Sequence, residues 1–150
     1  MKNKEKIEIM KYKRNSLSYS LILIGLIFNI IYFIKLYQEN DLYFYNISMG
    51  ISVIYNLMFM LFVFLSAENI KVYSIFYSLF SIFIGILQII RIGFTPKKAF
   101  DNNIINSEDF KFLAVFLLLS SIFLIVGGII SVIKSYKLKR FLREEKNGIT

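Results

Sequence analysis

The stretch FLAVFLLLSSIFLIVGGIISVI, residues 112–133, decides the fold. It contains no charged side chain. At about 1.5 Å per residue, a helix over this stretch is long enough to cross a bilayer hydrocarbon core of roughly 30 Å. An apolar run of this length predicts a transmembrane helix, which we place over residues 110–134.

Three further apolar runs lie upstream and predict spans over residues 17–37, 43–65 and 72–92. Four spans of about 20 residues each use more than half of the chain, which leaves no room for a separate soluble domain. Short connections make consecutive spans antiparallel. The sequence therefore predicts an all-α integral membrane protein with a single domain of four antiparallel transmembrane helices over residues 1–150.

Local signals set the expected ends of the spans. Residues 66–71 predict a tight loop, and the third span should end before Thr95-Pro96, because the residue before a proline avoids the helical region. Residues 94–109 then form the longest loop, with Ser107 as the expected N-cap of the fourth span. Beyond the fourth span, the basic segment 134–146 predicts either a continuing helix or a bend that lies on the lipid headgroups.

The positive charge lies at the two ends of the chain. The formal net charge is +8, and residues 1–16 and 134–150 carry all of it, since the charges between them cancel. Cytoplasmic flanks of membrane spans are enriched in Lys and Arg, so both termini are expected in the cytoplasm of a bacterial cell, with the spans in its plasma membrane. The expected partners of the basic tails are anionic lipid headgroups, and no nucleic acid is expected.

The sequence contains few residues that could support catalysis. The chain contains no Cys and no His, and no Asp or Glu falls within a predicted span. Acid–base catalysis and metal binding need positioned titratable groups or ligands. We therefore expect no enzyme and no catalytic, metal or cofactor site.

Small and polar residues recur at helical spacing in the third and fourth spans. The positions are Ser74, Ser78, Ser81, Gly85 and Gln88 in the third span, and Ala114, Ser121, Gly127, Gly128 and Ser131 in the fourth. Membrane helices associate through close packing, and small side chains let two backbones approach. These residues form helix-packing seams, which either join the two spans within one subunit or face a second copy in an oligomer.

A second set of polar residues falls within the spans. Its members are Asn29, Ser52, Tyr55, Asn56 and Gln88. An amide in hydrocarbon is costly without a partner, so these side chains should be buried and should bond to one another or to backbone. They act either as links between helices or as the lining of a wet cavity or narrow pore.

Two classes of function remain. The first is a small membrane protein that acts through helix–helix assembly, as a self-associating homo-oligomer or as an accessory subunit of a larger membrane complex, with immunity and defence proteins among the examples. The alternative is a pore-forming or membrane-permeabilising effector, such as a holin-like channel. An open pore needs water-facing residues along its whole length, and no span has a continuous hydrophilic face, which favours the first class.

The predicted topology can be tested with single cysteines, because the chain has none of its own. Cysteine at Asn103 should react with an impermeant thiol reagent in intact cells, whereas cysteine at Asn147 should react only after the cells are opened. The reverse labelling pattern would overturn the assigned orientation.

Overall fold

A computed structural model describes residues 15–38, 47–101, 103 and 105–147. They form four helices: α1 (Ser16–Gln38), α2 (Ile47–Ile70), α3 (Ile75–Asp101) and α4 (Ser107–Asn147). All four are long and apolar enough to cross a membrane, so the chain is an all-α, multi-pass membrane protein, as predicted. Residues 1–14 of the basic N-terminal tail, residues 43–46 of the predicted second span and residues 148–150 of the basic C-terminal tail lie outside the described residues.

The four helices form an antiparallel bundle in which each helix packs against its neighbours in sequence. Helix α4 also packs against α1, which closes the bundle. At one end, here called basal, the Asn15 N–H donates to the Lys71 carbonyl at 3.1 Å, where α1 begins and α2 has just ended. At the other end, here called distal, Lys35 Nζ lies 3.3 Å from Asp109 Oδ1.

Helices α3 and α4 approach each other at small residues. A Cβ built on Gly128 would lie 2.9 Å from the Ser78 carbonyl oxygen, and one on Gly85 would lie 3.1 Å from the Ser121 carbonyl oxygen. In return, Ser121 Oγ donates to the Gly85 carbonyl at 2.7 Å. The two predicted seams therefore meet each other within one chain, since only glycine leaves room for the facing backbone.

Helix α1 approaches α4 in the same way on the other side. A Cβ on Gly25 would lie 3.1 Å from the Ser120 carbonyl oxygen, and one on Gly127 would lie 3.3 Å from the Ser18 carbonyl oxygen. Ser120 Oγ donates to the Gly25 carbonyl at 2.8 Å. The adjacent glycines of α4 thus serve two partners, because successive residues of a helix point in different directions: Gly127 faces α1 and Gly128 faces α3.

The connection between α2 and α3 is shorter than predicted. The predicted loop over 66–71 is wrong in its first five residues, because α2 continues to Ile70. Ala67 and Ile70 are fully buried in the apolar core with Val63, so packing keeps this polar-looking segment helical. The chain reverses over residues 71–74, where Tyr73 adopts a φ of 60°.

The predicted end of the third span before Thr95-Pro96 is also wrong. Helix α3 passes through Pro96 and ends at Asp101, which reduces the predicted loop over 94–109 to a short connection. A proline inside a helix costs about 3 kcal/mol through its missing N–H and its steric clash. Pro96 is fully buried, and its packing offsets part of that cost.

The N-cap of the fourth helix lies one residue earlier than predicted. Asn106 Oδ1 accepts a hydrogen bond from the Asp109 N–H at 2.7 Å, so Asn106 is the N-cap in place of Ser107. Glu108 and Asp109 occupy the first turn, where their charge suits the helix dipole. At its other end, α4 continues without interruption to Asn147, which selects the continuing helix over a break at residue 134.

Replacing Gly128 with Leu should lower the thermal unfolding temperature, because the new side chain collides with the Ser78 carbonyl. Overpacking of this kind costs about 1–3 kcal/mol. Gly93→Leu is the matched control, since nothing lies within 4 Å of a Cβ there. Thermal unfolding in detergent measures both variants, and equal transition temperatures would show that Gly128 does not face α3.

Candidate functional site

Arg91 is a charged residue in the interior of the bundle. It lies on α3, and only 6% of its surface is exposed. The sequence analysis assigned no role to it. The signal that points to it is its spacing, because Arg91 continues the series Ser81, Gly85 and Gln88 along the buried face of α3.

The Arg91 guanidinium is surrounded by groups from α1 and α2. Its Nη2 donates to Asn56 Oδ1. Its Cζ lies 4.8 Å from the centre of the Tyr32 ring, 5.4 Å from that of Tyr55 and 5.9 Å from that of Phe59. Aromatic faces attract a cation through their quadrupole, so these rings replace part of the water that Arg91 loses.

Asn56 connects this cation to a chain of hydrogen bonds that leads toward the distal end. Asn56 Nδ2 donates to Tyr37 Oη at 3.1 Å and to the Ser52 carbonyl at 2.8 Å. Tyr37 Oη and Ser52 Oγ lie 2.7 Å apart and share a hydrogen bond. Asn56 therefore has both ends of its amide satisfied, as the sequence predicted for the polar set.

Asn29 and Gln88 are different. Both are fully buried, and among the described residues neither amide has a hydrogen-bond partner for its nitrogen or its oxygen. The expectation that they bond to each other or to backbone is wrong. Asn29 lies three residues before Tyr32 on α1, and Gln88 lies three residues before Arg91 on α3. Each pair therefore shares a helix face. The Tyr32 hydroxyl and two guanidinium nitrogens of Arg91, Nε and Nη1, also lack partners.

The remaining predicted polar residues fall in several places. Tyr55 was expected to be buried, but 49% of its surface is exposed, because α2 directs it outward and only the ring face covers Arg91. Ser52 is partly buried. We call Asn29, Tyr32, Asn56, Gln88 and Arg91 the arginine cluster.

The predicted seam residues also divide. Ser78, Ser81, Gly85, Ser121, Gly127, Gly128 and Ser131 are buried between helices. Ser74 precedes α3, and its carbonyl accepts a hydrogen bond from Ser78 Oγ at 2.8 Å. Ala114 is partly exposed near the distal end of α4.

The arginine cluster combines a fixed positive charge with the N–H and O–H donors of Asn56 and Tyr32 beside it and of Asn29 and Gln88 one helical turn away. Within residues 15–38, 47–101, 103 and 105–147, no group of three or more Asp or Glu side chains could hold a metal ion. None of the carboxylates in those ranges forms a salt bridge with Arg91. The chemistry of the cluster is that of a site for negative charge.

Replacing each of two buried asparagines with leucine should lower stability at one position only. Asn56→Leu removes three hydrogen bonds and should lower the unfolding free energy by about 1–3 kcal/mol, because Arg91 and Tyr37 lose a partner. Asn29→Leu removes an amide that has no partner and should leave stability unchanged or raise it by about 1 kcal/mol. Thermal unfolding in lipid-free detergent measures both. A loss of equal size in the two variants would contradict the assigned hydrogen bonding.

No family model, no curated protein and no solved structure matches the chain.

Proposed function

We propose that the protein is a non-enzymatic membrane subunit that acts through helix–helix assembly, with itself or with a larger membrane complex. The observation that carries this proposal is the basal extension of α4. Asn15, the first described residue before α1, contacts Ser131 and Lys134 of α4. Residues 136–147 extend past this point by about 18 Å of helix. We call this segment the basal arm.

The surface of the basal arm suits a protein contact. Tyr136 and Leu142 are more than half exposed. Exposed apolar side chains on the spans face lipid, whereas those beyond the membrane surface face water. Burying the latter against another protein is favourable. An ion pair between Arg140 Nε and Glu144 Oε1 at 2.8 Å supports the helix of the arm.

The charge of the basal arm supports its position on the cytoplasmic side. Exposed cations at Lys137, Lys139, Arg140 and Arg143 surround the apolar residues. Lys and Arg beside a span favour the cytoplasmic face, so we place the basal end in the cytoplasm of the cell and the distal end outside. The same cations attract anionic lipid headgroups, which would hold the arm close to the membrane.

The alternative function is a pore, and the arginine cluster is the feature that favours it. The cluster supplies polar groups only in the distal half of the bundle. Toward the basal end from the cluster, apolar side chains from all four helices form a core layer that includes Ile22, Val63, Ile84 and Leu124. A conducting path needs polar lining across the whole membrane, so this apolar layer favours the assembly function.

Single cysteines test the assembly proposal in native membranes. Leu142→Cys on the basal arm should form a disulfide with a second copy or a mixed disulfide with a partner subunit on mild oxidation. Val115→Cys is the matched control, because it is 51% exposed on the same helix but within the span. It should form no such product.

The same membranes distinguish the outcomes. A product of twice the chain mass indicates self-association, and a heavier mixed product indicates an accessory subunit. If Leu142→Cys stays monomeric and the purified chain has the mass of one copy in nanodiscs, the assembly proposal is wrong. Dye release from liposomes that contain the purified chain alone would favour the pore.

A further inference from the structure

We propose that the arginine cluster binds one phosphate-class oxyanion, supplied by a phospholipid headgroup or by free phosphate. This inference goes beyond the proposed function, because it concerns the distal half of the bundle and not the basal arm. It assigns a ligand to Arg91 and to the unpartnered groups around it.

The first argument is charge. Arg91 brings a permanent positive charge into the bundle interior, and no described carboxylate neutralises it. The one hydrogen bond that the guanidinium donates to a described residue goes to the neutral amide oxygen of Asn56. Its Nε carries one N–H and its Nη1 carries two, and none of these donates to the protein. A buried charge without a counter-charge is strongly unfavourable, and a bound anion would offset that cost.

The second argument is the set of neutral groups beside the cation. Tyr32 Oη, Asn29 Nδ2 and Gln88 Nε2 are donors without acceptors, and all three residues are fully buried. Asn29 and Gln88 lie about 4.5 Å further toward the basal end than Tyr32 and Arg91, measured along their helices. The Tyr32 ring lies against the guanidinium and the two amides lie one helical turn away on the same helix faces, and such a set of donors suits an oxyanion with several oxygens.

The amide oxygens add a requirement of their own. Asn29 Oδ1 and Gln88 Oε1 are acceptors without donors. A protonated phosphate oxygen or a headgroup hydroxyl can donate to them. A halide cannot, so the unpartnered acceptors favour a phosphate-class ligand over chloride.

The third argument is position. Arg91 lies six residues before the exposed Lys97 on α3. Its Cα is therefore about 9 Å further from the distal end of the bundle than that of Lys97, measured along the helix. Tyr55 covers the guanidinium from the membrane-facing side of α2 and is half exposed there. The guanidinium therefore lies between the middle of α3 and its distal end, beside a surface of α2 that is exposed outside the bundle.

Binding can be measured on the delipidated full chain in detergent. The probes are phosphatidylglycerol, whose headgroup carries hydroxyls, inorganic phosphate, and diacylglycerol, which shares the acyl chains of the lipid but lacks the phosphate. Native mass spectrometry counts bound phospholipid, and thermal unfolding at raised ionic strength reports the affinity of each probe. Raised salt screens the exposed Lys and Arg of the tails.

The delipidated wild-type chain should bind one phosphate-containing ligand and should not respond to diacylglycerol. Arg91→Gln should weaken binding about tenfold or more, as expected for the loss of a charged hydrogen bond. Lys97→Gln is the control for a lost charge and should change affinity less than about twofold, because Lys97 is exposed. Gln88→Leu retains the charge and should weaken binding to a smaller extent.

The two sources of the ligand give different results. Saturation by phosphatidylglycerol with no response to inorganic phosphate identifies a lipid site, and competition by inorganic phosphate identifies a site for the free ion. The proposal is overturned if diacylglycerol binds as well as phosphatidylglycerol, or if Arg91→Gln binds like the wild type. If Arg91→Gln does not fold, unchanged binding by Gln88→Leu overturns it.

Discussion

The close approach of α4 to both α1 and α3 is the constraint on which the rest of the bundle depends. Lipid surrounds apolar side chains as well as protein does, so burial of apolar area gives little drive for association within a bilayer. Packing must come from contact between backbones and from hydrogen bonds across the interface. Gly25, Gly85, Gly127 and Gly128 allow that contact, and serine hydroxyls bridge it, as between Ser78 and Ser131 at 2.7 Å.

Helix α2 is attached in a different way. It has one glycine, Gly50, and nothing lies within 4 Å of a Cβ built there. Polar side chains hold it instead: Tyr19 Oη donates to Glu68 at 3.1 Å near the basal end, and Asn56 bonds to Tyr37 in the distal half. Between them, Phe59 and Val63 pack into the apolar core. A helix held by side chains stands further from its neighbours than one held at glycines, and this leaves room for Arg91 between α2 and α3.

This division gives the two halves of the bundle different characters. The basal half combines glycine contacts with an apolar core and continues into the basal arm, which presents Tyr136 and Leu142 outside the membrane. The distal half holds the buried charge and the unpartnered amides. The proposed assembly function depends on the basal arm and the proposed oxyanion site on the distal half, so failure of one proposal leaves the other standing.

The sequence by itself determined the class of fold, because four long apolar runs with short connections have no soluble alternative. It also identified the small residues of the seam, since helical periodicity places them on one face. Helix ends were less accessible to it: buried Ile70 and Pro96 extend α2 and α3 through segments whose composition predicts loops.

Only the tertiary structure decided which polar groups find partners. Asn29 and Asn56 are both asparagines within apolar spans, yet Asn56 meets Tyr37 and Arg91 while Asn29 meets no acceptor or donor. Periodicity fixes the face of a helix that a side chain occupies but not what faces it from another helix. That depends on how closely the helices approach and at what height, which the glycine contacts of α4 determine for α1 and α3 and which polar side chains determine for α2.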